Sequence, residues 1–313
     1  MPTEPSVVRD AQMPEPARIR SLLVPVDLTP VSDRVLGRVK RLPLSDDARI
    51  TLLHVVPDIL SVRNQKIAER DATKALAAEV RDLRQSLLQS QYVEPVVTTG
   101  TAAAKEISAF ATRVNAEVIV MGRGSGRMSD VFLGSTAERV IRQAQLPVLV
   151  VRLPARKPYC RPALALDLDH AAVAIVRLAL RVVSAPRPPF AIIHAFDEPY
   201  HGLIYPSLSD AAEERKGELQ LKATREVESL LTSAVKHANL SPDDAAQWKT
   251  YVRFGSPRSV IENTMRKTEP DLLVLGTRGH TGAAYVFFGT VAGDVLRQAK
   301  CDVLVVPPAP SRE

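Results

Sequence analysis

The feature of this sequence that most constrains its fold is an internal duplication. The pair Val26-Asp27 recurs as Leu166-Asp167, which lies 140 residues later in the chain. Further along, Gly134 recurs as Gly289 with an offset of 155 residues. The offset changes within a long helical segment, where an insertion costs little stability. A period of ~150 residues is that of a duplicated domain rather than of a solenoid repeat.

Each half contains five short apolar runs separated by longer amphipathic segments. The runs are rich in Val, Ile and Leu and are continuous rather than alternating, as in strands that are buried on both faces. This pattern predicts a βαβαβαβαβ order and an open parallel sheet in each half. The predicted strands are 22–26, 50–56, 93–97, 118–121, 147–151, 163–166, 190–196, 248–253, 272–275 and 303–306.

The intervening segments carry helix signals of varying strength. Residues 66–89 place an apolar residue at every third or fourth position, which predicts a helix with one buried face. Ser256-Pro257 is typical of an N-cap followed by a first-turn proline, and Thr101 is its weaker counterpart in the first half. Asp46-Asp47 is interpreted as solvated loop charge.

These observations predict an order of segments along the chain. Residues 1–16 form a disordered arm, 17–153 the first domain, 154–162 a proline-rich linker and 163–309 the second domain. The last strand of each half is apolar and would leave an exposed edge. We therefore expect the two halves to pack as a pseudo-symmetric pair through residues 147–151 and 303–306.

Composition narrows the class of protein. The formal charge of +6 is spread along the chain without a basic run, which argues against a nucleic-acid partner. No apolar stretch reaches the ~18 residues of a membrane span, and the N-terminus is unlike a secretory signal. Cys160 and Cys301 form no metal-binding or redox motif, so both are expected to stay free. A cytoplasmic location fits these features.

The most informative segments follow the fourth strand of each half, where glycines lie at a strand end and again before a helix. Such glycines let backbone N–H groups approach an anion, and the helix N-terminus favours negative charge. Ordinary turns are the alternative explanation, but the pattern occurs twice. The residues are Gly122, Gly124, Gly134 and Ser135 in the first half and Gly276, Gly279, Gly289 and Thr290 in the second.

These glycine segments, together with VPVD in the first strand, LLHV in the second and PVLVV in the last, resemble the universal stress protein family. The resemblance spans nearly the whole chain beyond the N-terminal arm. It implies two Rossmann-like domains of the HUP type, each a doubly wound five-stranded sheet with strand order 3-2-1-4-5. It also implies pairing through the fifth strands, here within one chain, with a further homodimer left open.

The family resemblance also implies a ligand and its contacts. The ligand is an adenine nucleotide, ATP or AMP, and the acid that ends strand one binds adenine. The residue after the histidine of strand two packs on the adenine ring. The glycine loop and the Gly-Ser or Gly-Thr pair hold the ribose and phosphates. Besides the glycines already named, the resemblance implies five contact residues. Asp27 and Asp167 bind adenine, Val55 and Ala195 pack on its ring, and Arg278 belongs to the second glycine loop.

Two departures from the family pattern bear on binding. The first-half loop is one residue short between Gly122 and Gly124, so we expect the second half to bind nucleotide more tightly. The second half has Asp169 where the first half keeps Thr29. A carboxylate beside phosphates is repulsive unless a divalent cation such as Mg²⁺ lies between them, so this cation is expected to matter there.

Three functions stay open from the sequence. The favoured one is a stress-response protein that binds an adenine nucleotide as a regulator or sensor. The alternatives are a scaffold with a degenerate nucleotide site and a slow, metal-dependent ATPase. The sequence contains no P-loop, no nucleophile elbow and no zinc motif, and no residue stands out as a nucleophile or general base. His54 and His194 recur at one strand position and are interpreted as packing or supporting groups.

Overall fold

The computed structural model describes residues 18–59, 61–124, 134–168, 172–196, 210–237, 245–277 and 289–308. The first half comprises β1 (Ile19–Pro25), α1 (Pro30–Val39), β2 (Leu44–Pro57), α2 (Val62–Arg84), β3 (Tyr92–Gly100), α3 (Ala103–Arg113), β4 (Val118–Gly122), α4 (Ser135–Gln143) and β5 (Val148–Val151). The second half comprises β6 (Pro162–Ala165), α5 (Ala172–Val182), β7 (Ala191–Phe196), α6 (Asp210–His237), β8 (Lys249–Phe254), α7 (Pro257–Thr268), β9 (Leu272–Gly276), α8 (Thr290–Gln298) and β10 (Asp302–Val306). The predicted N-terminal arm lies outside these residues.

All ten strands belong to one sheet with the order β3-β2-β1-β4-β5-β10-β9-β6-β7-β8. Within each half the strands are parallel, and their order is the predicted 3-2-1-4-5. The α/β fold and the strand order predicted from the sequence are therefore confirmed. In each half the chain reverses direction across the sheet beside the first strand, between β1 and β4 or between β6 and β9.

The two halves join through their last strands, as predicted. β5 pairs with β10, and this is the antiparallel pair of the sheet. Leu149 lies opposite Leu304, its own counterpart in the repeat, so a pseudo-two-fold axis passes through this pair. All four residues of β5 are buried. Pairing within the chain thus covers both apolar edges that would otherwise face solvent.

Helices cover both faces of the sheet, which explains the continuous apolar runs. On β1, Leu22 packs into the core beneath α1 and α2, and its neighbour Leu23 packs into the core beneath α3 and α4. Each of these cores continues into the second half of the molecule. Because successive strand residues point to opposite faces, a strand buried on both sides has no polar face to show in its sequence.

Several local predictions need correction. The second helix is α2, which ends at Arg84 rather than at residue 89, and β2 begins at Leu44 rather than at residue 50. Asp46 and Asp47 therefore lie within a strand, at a register shift against β1, where both are exposed. The prediction that these two aspartates lie in a loop was wrong. The sheet edge there is irregular enough to keep the carboxylates in solvent.

The two helix starts behave differently. Ser256 caps α7 as predicted, with its hydroxyl oxygen accepting from the Ser259 N–H and Pro257 in the first turn. Thr101 does not cap α3, since the cap position is Ala102, which has no side-chain capping bond. The prediction for Thr101 was therefore wrong.

The connection between the halves is packed rather than loose. Tyr159 is buried, its hydroxyl donates to Asp302 at 2.8 Å, and the Arg38 guanidinium lies 3.9 Å from the centre of its ring. The backbone N–H groups of Cys160 and Arg161 both donate to the carboxylate of Asp271, each at 2.9 Å. Prolines interrupt periodicity here, but buried contacts to both halves still order the segment. Both cysteines are free, as predicted.

Candidate functional site

The candidate site lies at the carboxyl ends of the strands, where each half reverses its strand order. In the first half β1 pairs with β2 on one side and with β4 on the other. The helices that follow β1 and β4 leave in opposite directions across the sheet, which opens a crevice between them. Crevices of this kind are the usual ligand sites of open α/β sheets. The second half repeats the arrangement with β6 and β9.

The acid after strand one is held in place by the first helix. Asp27 Oδ1 accepts from the Thr29 hydroxyl at 2.7 Å, from the Thr29 N–H at 3.1 Å and from the Ser32 hydroxyl at 3.0 Å. Leu28, between them, has a positive φ of 56°. Thr29 in turn caps α1 by accepting from Val31. This tight turn fixes the carboxylate of Asp27 at the edge of the sheet.

The second-half acid has a different local setting. Asp167 Oδ1 accepts from the N–H of Leu168 at 2.9 Å, a bond within its own turn. Asp169, which replaces Thr29, lies outside the described residues. The two acids thus occupy equivalent strand-end positions, but the threonine-centred turn around Asp27 belongs to the first half.

The two repeated histidines support the strand ends. His54 Nδ1 lies 2.9 Å from the carbonyl oxygen of Val26, and His194 Nδ1 lies 2.9 Å from that of Leu166. Each bond ties strand two to the residue just before the strand-one acid. Positioning accounts for both histidines, as predicted. The residues that follow them, Val55 and Ala195, are half-buried at the same edge.

Glycine at the end of the fourth strand has a steric reason. A Cβ on Gly122 would lie 2.6 Å from Cγ1 of Val31 on α1, closer than packed carbon atoms approach. In the second half, a Cβ on Gly276 would lie 3.1 Å from Cδ1 of Ile175 on α5. The missing side chains let the helix after strand one approach the strand that precedes the loop. Both glycines therefore shape the crevice whether or not they also contact a ligand.

The glycine segment of the first half closes on itself. The N–H of Gly134 donates to the carbonyl of Arg123 at 2.6 Å, and a Cβ on Gly134 would lie 2.4 Å from that same oxygen. Gly124 has a φ of 107°, a conformation that favours glycine. Gly289 donates to the carbonyl of Thr277 at 3.0 Å in the same way. The ends of both loops are thus pinned where the next helix starts.

Both helices that follow the loops begin without a side-chain cap. Gly134 precedes α4 and Gly289 precedes α8, and neither position has a side-chain capping bond. The next residues, Ser135 and Thr290, are exposed. First-turn N–H groups at such a start are available to an external acceptor, and the helix dipole favours an anion there. Arg278 and Gly279 lie outside the described residues.

One residue that the sequence interpretation missed lies beside the first-half loop. Arg152 follows β5, and because Gly122 pairs with Val151, Arg152 lies next to Arg123 at the sheet edge. Burial lowers the pKa of the Arg152 guanidinium, and the positive charge of Arg123 lowers this pKa further. The signal for Arg152 was its counterpart 155 residues later, Pro307, because a charged residue matched by proline breaks the repeat.

Similarity to known proteins agrees with this geometry. A sequence model described as the Universal stress protein family matches residues 18–152 and again 163–307. The chain belongs to the universal stress protein family. Universal stress protein G of Shigella flexneri is 32% identical over 142 residues, a match that covers 42% of this chain and 99% of that protein. Universal stress protein E of Escherichia coli K12 is 37% identical over 59 residues, or 19% of each chain.

Solved structures share the tandem fold of this universal stress protein. A universal stress protein from Archaeoglobus fulgidus superposes with a TM-score of 0.64 at 17% identity, over 92% of this chain and 98% of that one. A functionally unknown protein from Pseudomonas aeruginosa superposes with a TM-score of 0.60 at 17% identity, over 93% of both chains. At these identities the likeness concerns the fold.

Among the described residues, no helix is both long and apolar enough to cross a membrane. Within the same ranges, no group of three or more His, Cys, Asp or Glu side chains is placed to hold a metal ion.

Proposed function

We propose that this universal stress protein binds an adenine nucleotide, ATP or AMP, at the strand-order reversal of each half and acts as a regulator or sensor in a stress response. One observation carries the proposal: α4 and α8 both start at an uncapped glycine in the crevice beside a strand-one acid. In each half, the crevice therefore has a strand-one carboxylate at one end and the first-turn N–H groups of α4 or α8 at the other.

The two ends of this crevice suit the two ends of a nucleotide. The carboxylates of Asp27 and Asp167 can accept a hydrogen bond from the exocyclic amino group of adenine. The half-buried side chains of Val55 and Ala195 offer an apolar surface to the ring. The starts of α4 and α8 lie across the crevice, where N–H groups and the helix dipole favour phosphates.

The test uses matched charge substitutions at the two helix starts. Ser135→Glu and Thr290→Glu each place a carboxylate where the phosphates would lie. Both positions are exposed, and glutamate is well tolerated in the first turn of a helix, so folding should be preserved. A charge placed ~5 Å from a phosphate, together with the loss of a hydroxyl donor, should weaken ATP binding by about tenfold at the altered site.

Titration calorimetry with ATP and with AMP gives the readout. Thr101→Glu is the control, because it adds the same charge at the same sheet edge, beside β3 rather than β4. The proposal predicts that Thr290→Glu lowers the affinity more than Ser135→Glu, since the second-half loop has its full length. Equal ATP binding by all three variants and the parent protein would contradict it, as would the absence of binding to the parent.

A further inference from the structure

Arg152 is a buried cation whose hydrogen bonding is incomplete among the residues that the structure describes. The residue is 8% exposed, and its Nε has no hydrogen-bond partner. Its Nη2 donates to the backbone carbonyl of Leu296, which is a dipole rather than a charge. Within the described ranges, no carboxylate forms an ion pair with this guanidinium. A buried cation in this state is unfavourable unless an anion joins it.

Asp302 does not play that role. Its Oδ1 accepts from the backbone N–H of Arg152 at 2.7 Å, and its Oδ2 accepts from Arg38 Nε at 3.0 Å and from the Tyr159 hydroxyl at 2.8 Å. The carboxylate is thus engaged by the main chain of Arg152 and by the side chains of two other residues. The Arg152 guanidinium instead donates to the carbonyl of Leu296 on α8.

The guanidinium lies at the junction of the two helices of the candidate sites. Leu296 belongs to the last turn of α8, and the next residue, Arg297, lies 3.8 Å from Glu138 in the first turn of α4. The end of α8 is therefore adjacent to the start of α4. Arg152 follows β5 and lies beside Arg123, which follows β4. The carbonyl of Arg123 accepts from the N–H of Gly134, the residue just before α4. Arg152, the main chain of Arg123 and an uncapped helix start therefore lie close together.

We propose that Arg152 and Arg123, together with the start of α4, bind a phosphate oxyanion in the first half. The proposal deepens the nucleotide-binding function and rests on it for the source of the phosphate, which is the phosphate tail of a nucleotide or a free polyphosphate. At the equivalent position of the second half, Pro307 replaces Arg152. The two sites would then differ in their ligand preference. The affinity of the first-half site for a nucleotide should increase steeply with the number of its phosphates, and that of the second-half site should increase less.

An anion at this position would stabilise the buried guanidinium of Arg152 and also offset its repulsion by Arg123. The guanidinium groups of Arg123 and Arg152 repel each other, and a phosphate bound to both replaces repulsion with two attractions. The first-turn N–H groups of α4 supply further donors. Two acids, Glu138 and Asp294, lie beside Arg297 at this junction, and both are engaged by other arginines. Arg142 contacts Glu138 at 2.8 Å, and Arg297 and Arg258 each contact Asp294 at 2.8 Å.

The experiment measures the binding of tripolyphosphate, ATP and adenosine to the intact protein by titration calorimetry at fixed ionic strength. Arg152→Met removes the charge and keeps an apolar stem, and Arg123→Met removes the second charge. Arg139→Met is the control, since it removes one charge from the exposed face of α4. We expect Arg152→Met to weaken first-half tripolyphosphate and ATP binding by about tenfold or more. Arg139→Met should change it by less than about twofold.

Adenosine separates the phosphate contact from a damaged site. Its affinity should be equal in the parent and in Arg152→Met, because adenosine carries no phosphate. If Arg152→Met fails to fold, which a thermal melt reveals, Arg123→Met and the charge-preserving Arg152→Lys carry the test instead. Arg152→Lys should keep more of the tripolyphosphate affinity than Arg152→Met.

The outcomes distinguish the two proposals. Arg152-dependent binding of tripolyphosphate without any binding of ATP or adenosine would support the phosphate site and contradict the nucleotide function. ATP binding that is equal in Arg152→Met and the parent would support the nucleotide function and overturn the role of Arg152. Failure of the parent protein to bind either phosphate compound would overturn the phosphate site as well.

Discussion

Asp302, on the last strand, accepts a hydrogen bond at Oδ2 from Nε of Arg38, on the first helix, at 3.0 Å across 264 residues of sequence. Both side chains are buried. The same carboxylate accepts from Tyr159 in the connecting segment and from two backbone N–H groups that follow β5. One side chain thus holds the first half, the connection and the second half together.

We predict that Asp302→Asn lowers the free energy of unfolding by about 3–5 kcal/mol, because it leaves the buried Arg38 cation without its partner. Urea unfolding followed by circular dichroism measures the change. The matched control is Asp82→Asn, which breaks the ion pair with Lys40 at a carboxylate that is 64% exposed. That control should cost less than about 1 kcal/mol. Equal losses in the two variants would show that the Asp302 cluster contributes little.

Replacement of glycine by alanine should have opposite effects at two positions. Gly122→Ala brings a methyl group to 2.6 Å from Val31 and should destabilise the protein by about 1–3 kcal/mol through overpacking. Gly217→Ala, within α6, meets nothing within 4 Å and should stabilise the helix by up to about 1 kcal/mol. Denaturant unfolding of both variants checks the signs. If Gly122→Ala leaves the free energy of unfolding unchanged, α1 can move away from β4 at little cost.

The two cysteines should differ in reactivity. Burial, and next the charge of Asp302, raise the pKa of the Cys301 thiol to about 12, so this thiol stays protonated at neutral pH. Cys160 is half-buried, and its thiol donates to Asp271 at 3.1 Å. Iodoacetamide at pH 8 should therefore modify Cys160 first in the native protein, with Cys301 reacting after urea is added. Mass spectrometry of peptides assigns the sites, and early labelling of Cys301 would contradict its burial.

The raised pKa of the Cys301 thiol also affects the stability of the protein at high pH. The folded pKa of Cys301 is raised, so its contribution to stability is complete below the unfolded pKa of about 8.5. Above that pH the unfolded thiol ionises first, and the contribution decreases as the pH rises toward 12. Tyr159, whose pKa burial also raises, acts in the same direction at higher pH. Cys301→Ala should therefore make urea stability depend less steeply on pH between 9 and 10.5 than in the parent protein, and an unchanged slope would contradict the shift.

The role of Mg²⁺ can be tested by exchanging two equivalent residues. Asp169→Thr gives the second half the residue of the first, and should raise ATP affinity without Mg²⁺ by about tenfold through removal of a repulsive charge. Thr29→Asp is the reciprocal variant and should make the first half depend on Mg²⁺. Calorimetry with Mg²⁺ or with EDTA measures both. If Asp169→Thr leaves the affinity in EDTA unchanged, Asp169 does not lie near the phosphates.

The sequence predicted those features of the fold that repeat locally. Strands such as β4 and β9 were found because burial on both faces leaves continuous apolar runs, and the strand order followed from the family resemblance. The end of α2 was placed too late because Leu87 continues the apolar spacing and packs on the core after the helix has ended. In that case tertiary packing, rather than helix periodicity, explains a buried leucine.

The contacts of Asp302 and Arg152 could not be predicted from local patterns. Asp302 follows a cysteine before an apolar strand, and nothing near it in sequence indicates a buried carboxylate with partners from three segments. Those partners are set by the pairing of β5 with β10 and by the folding back of the connection. In the candidate site, the steric need for Gly122 was equally hidden, since it depends on how closely α1 approaches β4.

The peptide connection between the two halves, which runs from β5 to β6, frees the protein from a restriction that applies to symmetric dimers. In a homodimer every substitution near the two-fold axis appears twice, so one buried carboxylate would bring a second one nearby. Here Asp302 has Pro147 as its counterpart, and Arg152 has Pro307. A single gene product can therefore place one charged group on one side of the axis and none on the other. The peptide connection also keeps the two partners together at any dilution, at an effective concentration of about millimolar or higher.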